Sequence, residues 1–176
     1  MNVYRMEVTW QNWRKNVELN LQHPYKYIKV ANLEYYFTTK HGIEYHVYFI
    51  CADNMHPVFN ESYWFNIEPT DRRPHPIDCK IAITIVHILK EFFTNHERSM
   101  LMVCDTIDGK QQKRRKLFNR WYKRFNTGEL LAFNAMTEND DYTLYVSLYV
   151  MKNNCRMREI IDAFYELAKN DLYPMD

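Results

Sequence analysis

The sequence predicts an α+β protein, a single domain in which a largely antiparallel β-sheet carries helices packed on one face. Three observations lead there. Strict apolar/polar alternation, as in Ile43, Tyr45, Val47 and Phe49 against Glu44, His46 and Tyr48, marks strands with one buried face. Other segments repeat apolar residues at helical spacing, and no linker, internal repeat or low-complexity tract separates the two kinds. The length of 176 residues suits one domain rather than two.

Each element has its own signal. Trp10, Trp13, Val17 and Leu21 lie at helical spacing behind Thr9, a capping residue, and predict a short helix that His23-Pro24 ends. Tyr25 to Val30, Leu33 to Thr39 and Ile43 to Cys51 predict a three-stranded meander, with turns at Ala31-Asn32 and Lys40-His41-Gly42. Glu61 to Ile67 alternates again and predicts a fourth strand. Residues 68–76 hold three prolines and read as a loop, because each proline lacks a donor and restricts its predecessor.

The clearest helix runs from Ile77 to Asn95. Ile77, Ile81, Ile85, Ile88, Leu89 and Phe92 form one stripe, and Lys80, Thr84, His87, Glu91 and Thr94 form the opposite face. Ser99 to Cys104 is a short apolar strand, and Asp105 to Gly109 turns the chain into a second helix. There Leu117, Phe118, Trp121, Tyr122 and Phe125 should face inward, with Gly128 placed to end the helix. Leu130 to Ala135 and Tyr142 to Lys152 predict a hairpin, and Arg156 to Lys169 a last amphipathic helix capped by Asn153 or Asn154.

Composition excludes several function classes. Only three glycines occur, which removes the glycine-rich phosphate loops that need several backbone positions without a Cβ. The first ten residues hold no signal-like apolar run, and no stretch reaches the roughly 18 apolar residues of a spanning helix, so a cytoplasmic protein without a membrane partner is expected. Cys51, Cys79, Cys104 and Cys155 show neither redox nor zinc spacing and read as reduced, mostly buried thiols. The seven histidines form no ligand pair, so neither a metal nor any other cofactor is indicated.

The net charge of +1 conceals an asymmetry. Residues 110–125 (KQQKRRKLFNRWYKRF) hold eight of the 23 basic residues and none of the 22 acidic ones, which leaves the remainder at −7. One cationic element on an acidic body points to an anionic partner or to an acidic counterface within the protein, such as Glu138, Asp140 and Asp141.

Two blocks also carry a resemblance. The hairpin from Tyr36-Phe37-Thr38-Thr39 through Gly42-Ile43-Glu44-Tyr45, Val47 and Phe49 is followed by Cys104-Asp105, Asp108-Gly109-Lys110-Gln111, Arg114, Phe118 and Trp121. Over about residues 25–125 this resembles an uncharacterised family of short bacterial proteins, chiefly from Bacteroidetes. The resemblance implies a bacterial cytoplasmic protein, assigns no activity and carries over no site.

Chemistry-bearing candidates are few. Asp105, Asp108 and Lys110 sit where a strand ends and a helix begins, a place that suits an anion or a carboxylate-bound magnesium ion. Asp108 with Gln111 three residues on is also a helix-capping pair. Cys104 at the same turn is either a thiolate nucleophile or a buried thiol. Asp78-Cys79-Lys80 matches a nuclease fragment by chance, and Asp78 suits a helix N-terminus. Lys113, Lys116, Arg120, Lys123 and Arg124 fall on the outward side of the basic helix, spaced to meet successive phosphates, and Trp121 or Tyr122 would stack a base if exposed. Tyr145 and Tyr149 form a second candidate surface.

The leading expectation is therefore a non-catalytic module that presents this helix to an anionic macromolecule, a nucleic acid or an acidic protein. A small metal-dependent phosphate-handling enzyme using Asp105 and Asp108, and a homodimer joined through exposed aromatics, are the competing expectations.

Overall fold

Wherever the chain alternates apolar and polar residues it pairs into one sheet. The computed structural model describes residues 6–7, 23–71, 78–104, 111–138 and 143–169. Strands β1 (Met6–Glu7), β2 (Tyr27–Ala31), β3 (Glu34–Thr38), β4 (Glu44–Cys51), β5 (Ser62–Pro69), β6 (Ser99–Cys104), β7 (Leu130–Glu138) and β8 (Thr143–Met151) are joined by helices α1 (Cys79–Phe92), α2 (Gln111–Phe125) and α3 (Met157–Lys169). The predicted α+β arrangement is present. The helix expected over Thr9–Leu21 and the turn at 105–110 lie outside the described residues.

The eight strands lie in the order β1-β7-β8-β6-β5-β4-β3-β2. Residues 27–51 form the expected meander, with Phe37 opposite Tyr45 and Tyr35 opposite Val47. Every neighbouring pair is antiparallel except β5 and β6. A parallel pair cannot be closed by a tight turn, and α1 supplies the crossover between them. Helix α2 makes a second crossover in the same direction, from β6 over β8 to β7. Consecutive crossovers of one hand and one direction place their helices on the same face.

The helices nevertheless divide between the two faces rather than sharing one as expected. Ile85, Ile88 and Phe92 of α1, with Phe118 and Trp121 of α2, cover Tyr35, Val47, Phe49, Met100 and Met102. Ile160, Ile161 and Phe164 of α3, with Phe59 from a 3-10 turn at Pro57–Glu61, cover Leu101, Phe133, Val146, Leu148 and Val150 on the other side. Strand β8 is apolar on both faces, so one layer of helices cannot seal it.

Local signals explain the helix ends. The Asp78 side chain accepts from the Lys80 amide at 2.9 Å and caps α1. The same carboxylate accepts from the Tyr25 hydroxyl at 2.6 Å. Asn154, rather than Asn153, accepts from the Arg156 amide at 2.8 Å just ahead of α3. Gly128 has φ of +95°, a left-handed conformation that glycine adopts without Cβ strain, and it follows the end of α2. Thr84, expected on the outer face of α1, is fully buried because residues 23–26 lie against it and the Tyr25 amide donates to its hydroxyl at 2.9 Å.

Phe92 meets three rings in this layer. It has no exposure and lies parallel to Phe49 with centroids 4.2 Å apart, edge-on to Tyr63 and Phe93. Phe92→Ala is expected to cost about 3–5 kcal/mol of unfolding free energy. Asp78→Ala should cost about 1 kcal/mol, the typical value of a cap. Urea unfolding of both variants checks the ranking.

Candidate functional site

Helix α2 is built as two opposed faces. Phe125 is buried, and Phe118, Trp121 and Tyr122 are half-buried against the sheet and α1. Phe118 stands edge-on to Phe65 at 6.0 Å and to Trp121 at 5.1 Å, while Phe125 meets Ala82 and Val86 of α1. The Tyr122 hydroxyl donates to the Leu130 carbonyl at 2.7 Å, and the Asn126 amide donates to the same oxygen at 2.8 Å. These bonds fix the C-terminal end of α2 to the start of β7. Leu117, expected inside, is 39% exposed. It follows the outward Lys116 around the helix, and the aromatics at 118, 121, 122 and 125 already fill the inner side.

The outer face carries Lys113, Lys116, Arg120, Lys123 and Arg124, all exposed as the spacing predicts. Between residues 113 and 124 the row runs about 16 Å along the axis, at 1.5 Å per residue. Lys116 precedes Arg120 by four positions, and Arg120 precedes Lys123 and Arg124 by three and four, so like charges are neighbours. The first turn has no acidic residue and contains cations, which oppose the positive end of the helix dipole. Arg115 differs from its neighbours, because it turns inward and lies 4.5 Å from the Tyr145 ring centre.

The other candidates fare unevenly. Asp105, Asp108 and Lys110 lie outside the described residues, as do Asp140 and Asp141 of the expected acidic counterface. Among the described residues no group of three His, Cys, Asp or Glu side chains is arranged to hold a metal ion. Cys104 is buried as expected, but Cys79 and Cys155 are exposed, at helix starts that face water. The tyrosine surface of β8 is not a free surface. Tyr149 is 4% exposed beneath Tyr122, and Tyr145 lies under Arg115. Trp121 and Tyr122 are likewise turned toward the interior, so they do not form a stacking platform for bases.

One feature escaped the periodicity altogether. Between α1, α2 and the sheet lies a cavity of about 230 Å³, reached beside Leu89, Phe118, Trp121, Tyr122, Met100 and Met102. These positions read from sequence only as core, because a stripe of apolar residues does not reveal whether its opposing surface fills the space.

Burial in this layer has a consequence at high pH. It raises the phenols of Tyr35 and Tyr122 to about 12 and pushes that of Tyr149 higher still. For Tyr35 the neighbouring Glu91 carboxylate adds to the effect. The stability that these neutral phenols contribute is complete below the ordinary tyrosine value of 10 and is lost as pH climbs through about 12. Alkaline titration should therefore show a fall in stability over that window, followed by urea unfolding at each pH. Tyr122→Phe should make the fall shallower.

No curated protein and no solved structure matches the chain. One family profile matches residues 77–166, beginning just ahead of α1 and reaching into α3. It shares residues 77–125 with the resemblance described above, and it adds the β7–β8 hairpin while leaving out the N-terminal meander. Both crossover helices, the outer cations of α2 and most of the cavity wall thus fall within the matched half of the chain, which belongs to the family of unknown function DUF6169.

Proposed function

We propose that the protein is a non-catalytic binding module of the bacterial cytoplasm that presents the outer face of α2 to the phosphates of a nucleic acid. One observation carries this reading: a row of five exposed cations gathered on one side of a helix whose first turn holds no acidic residue. Like charges at i, i+3 and i, i+4 each destabilise a helix by about 0.2–0.5 kcal/mol, and cations in the first turn add to that cost. An anionic partner reverses the sign of both terms. The inward turn of Trp121 and Tyr122 favours contacts to the backbone rather than to bases, and hence binding with little sequence preference.

Fluorescence anisotropy with labelled double- and single-stranded DNA and RNA across a salt series tests this. Binding should weaken with a log–log slope of about −3 to −5, as expected when several phosphates are neutralised. Duplexes should bind at least as tightly as single strands. Lys116→Glu with Arg120→Glu should abolish binding without lowering stability, because both side chains are exposed and the reversal turns like-charge neighbours into opposite pairs. Absence of binding at low salt would move the assignment to an acidic protein partner.

A second reading has its own observation. Ile28, Val30 and Ile50 are 57%, 52% and 54% exposed on strands β2 and β4. Apolar exposure of this kind favours a homodimer joined through that half of the sheet. Light scattering at two protein concentrations decides it, and a monomer at both would remove this reading.

A further inference from the structure

We propose that the cavity between α1, α2 and the sheet is a binding site for a small, uncharged aromatic molecule of about two fused rings. Its volume is about 230 Å³. It opens to solvent on one side, and its walls are almost wholly apolar. An apolar space of about 150 Å³ accepts benzene. The space here is half as large again and admits a second ring.

The walls specify the occupant further. Phe65, Phe118, Trp121 and Tyr122 present ring faces and edges, and Met100 and Met102 supply thioethers that adapt to an aromatic neighbour. The polar groups of Tyr122 and Asn126 in the wall already have partners. The Tyr122 hydroxyl and the Asn126 amide both donate to the Leu130 carbonyl, and the Asn126 carbonyl accepts from the Gly128 and Leu130 amides. A ligand that needed hydrogen bonds would lose its water without replacement.

Charge at the rim narrows the class again. Lys90 and Glu129 border the cavity and are both exposed, one of each sign. Together they compensate neither an anion nor a cation for dehydration, which selects a neutral molecule. The cavity lies on the inner side of α2, so this site is independent of what the outer cations bind.

Naphthalene is a suitable probe, and three of the nine methionines serve as reporters. Met100, Met102 and Met151 line the cavity. In the full chain carrying ¹³C-methyl methionine, assigned through single Met→Leu variants, naphthalene should shift these three methyl signals saturably and leave the other six in place. Leu89→Trp, which places a ring in the cavity, should remove the response, and Leu89→Phe serves if the larger residue prevents folding. 2-Naphthoate, the same skeleton with a carboxylate, should bind at least about tenfold more weakly. No shift at the solubility limit of naphthalene, shifts spread over all nine methionines, or an undiminished response in the folded Leu89 variant would each overturn the site. Naphthoate binding as tightly as naphthalene would overturn the assignment of an uncharged ligand.

Discussion

Strands β6 and β8 are buried on both faces, and most of the architecture follows from that. Leu148 and Val150 have no exposure on the α3 side, while Met100, Met102 and Tyr149 are nearly as deeply buried on the other. A strand pair of this kind needs cover above and below. The two crossovers, β5-α1-β6 and β6-α2-β7, run in the same direction and can supply only one layer. The second layer falls to α3, whose one-sided stripe of Ile160, Ile161 and Phe164 closes the opposite face.

Within the first layer, α2 balances two opposing demands. Its charged residues repel one another, and on charge and length alone it would be a marginal isolated helix. Burial decides the matter. Removing a large apolar side chain from water contributes about 1.5–3 kcal/mol, several times the repulsion of a like-charge pair. Phe118, Trp121, Tyr122 and Phe125 on one side therefore hold five exposed cations in a fixed row on the other. The same anchoring uses bulky rings against flexible methionines, and it is between these shapes that the cavity remains.

The far half of the sheet is finished differently. On the α1 side, Glu91 accepts from the hydroxyl groups of Tyr27 and Tyr35 and from Lys29, tying β2 and β3 to the helix. On the reverse side His46 lies between Tyr36 and Tyr48, each 4.4 Å away, and its Nε2 is 2.9 Å from the Glu34 carboxylate. An aromatic ladder of this kind takes the place of a helix by stacking across and along the strands. A register irregularity between Lys29 and Ala31 interrupts β2 as it pairs with β3, a feature that makes an edge less able to pair with another chain.

The amino-acid pattern alone determined most of the elements and the facing of many of their residues. Alternation placed Tyr45, Val47 and Phe49 inward and set the meander, and the rhythm of Leu144, Val146, Leu148 and Val150 gave one face of β8. The row from Lys113 to Arg124 was legible for the same reason, since helical spacing fixes which residues share a side and charge keeps that side in water. What periodicity describes is one element's surface, not what meets it. Only the tertiary structure decided that Thr84 is buried under Tyr25, that α2 covers Tyr149, that Leu117 is left outside, and that the helices divide between two faces. The cavity belongs to the same category, because an unfilled volume is a property of three surfaces brought together and no single segment of sequence encodes it.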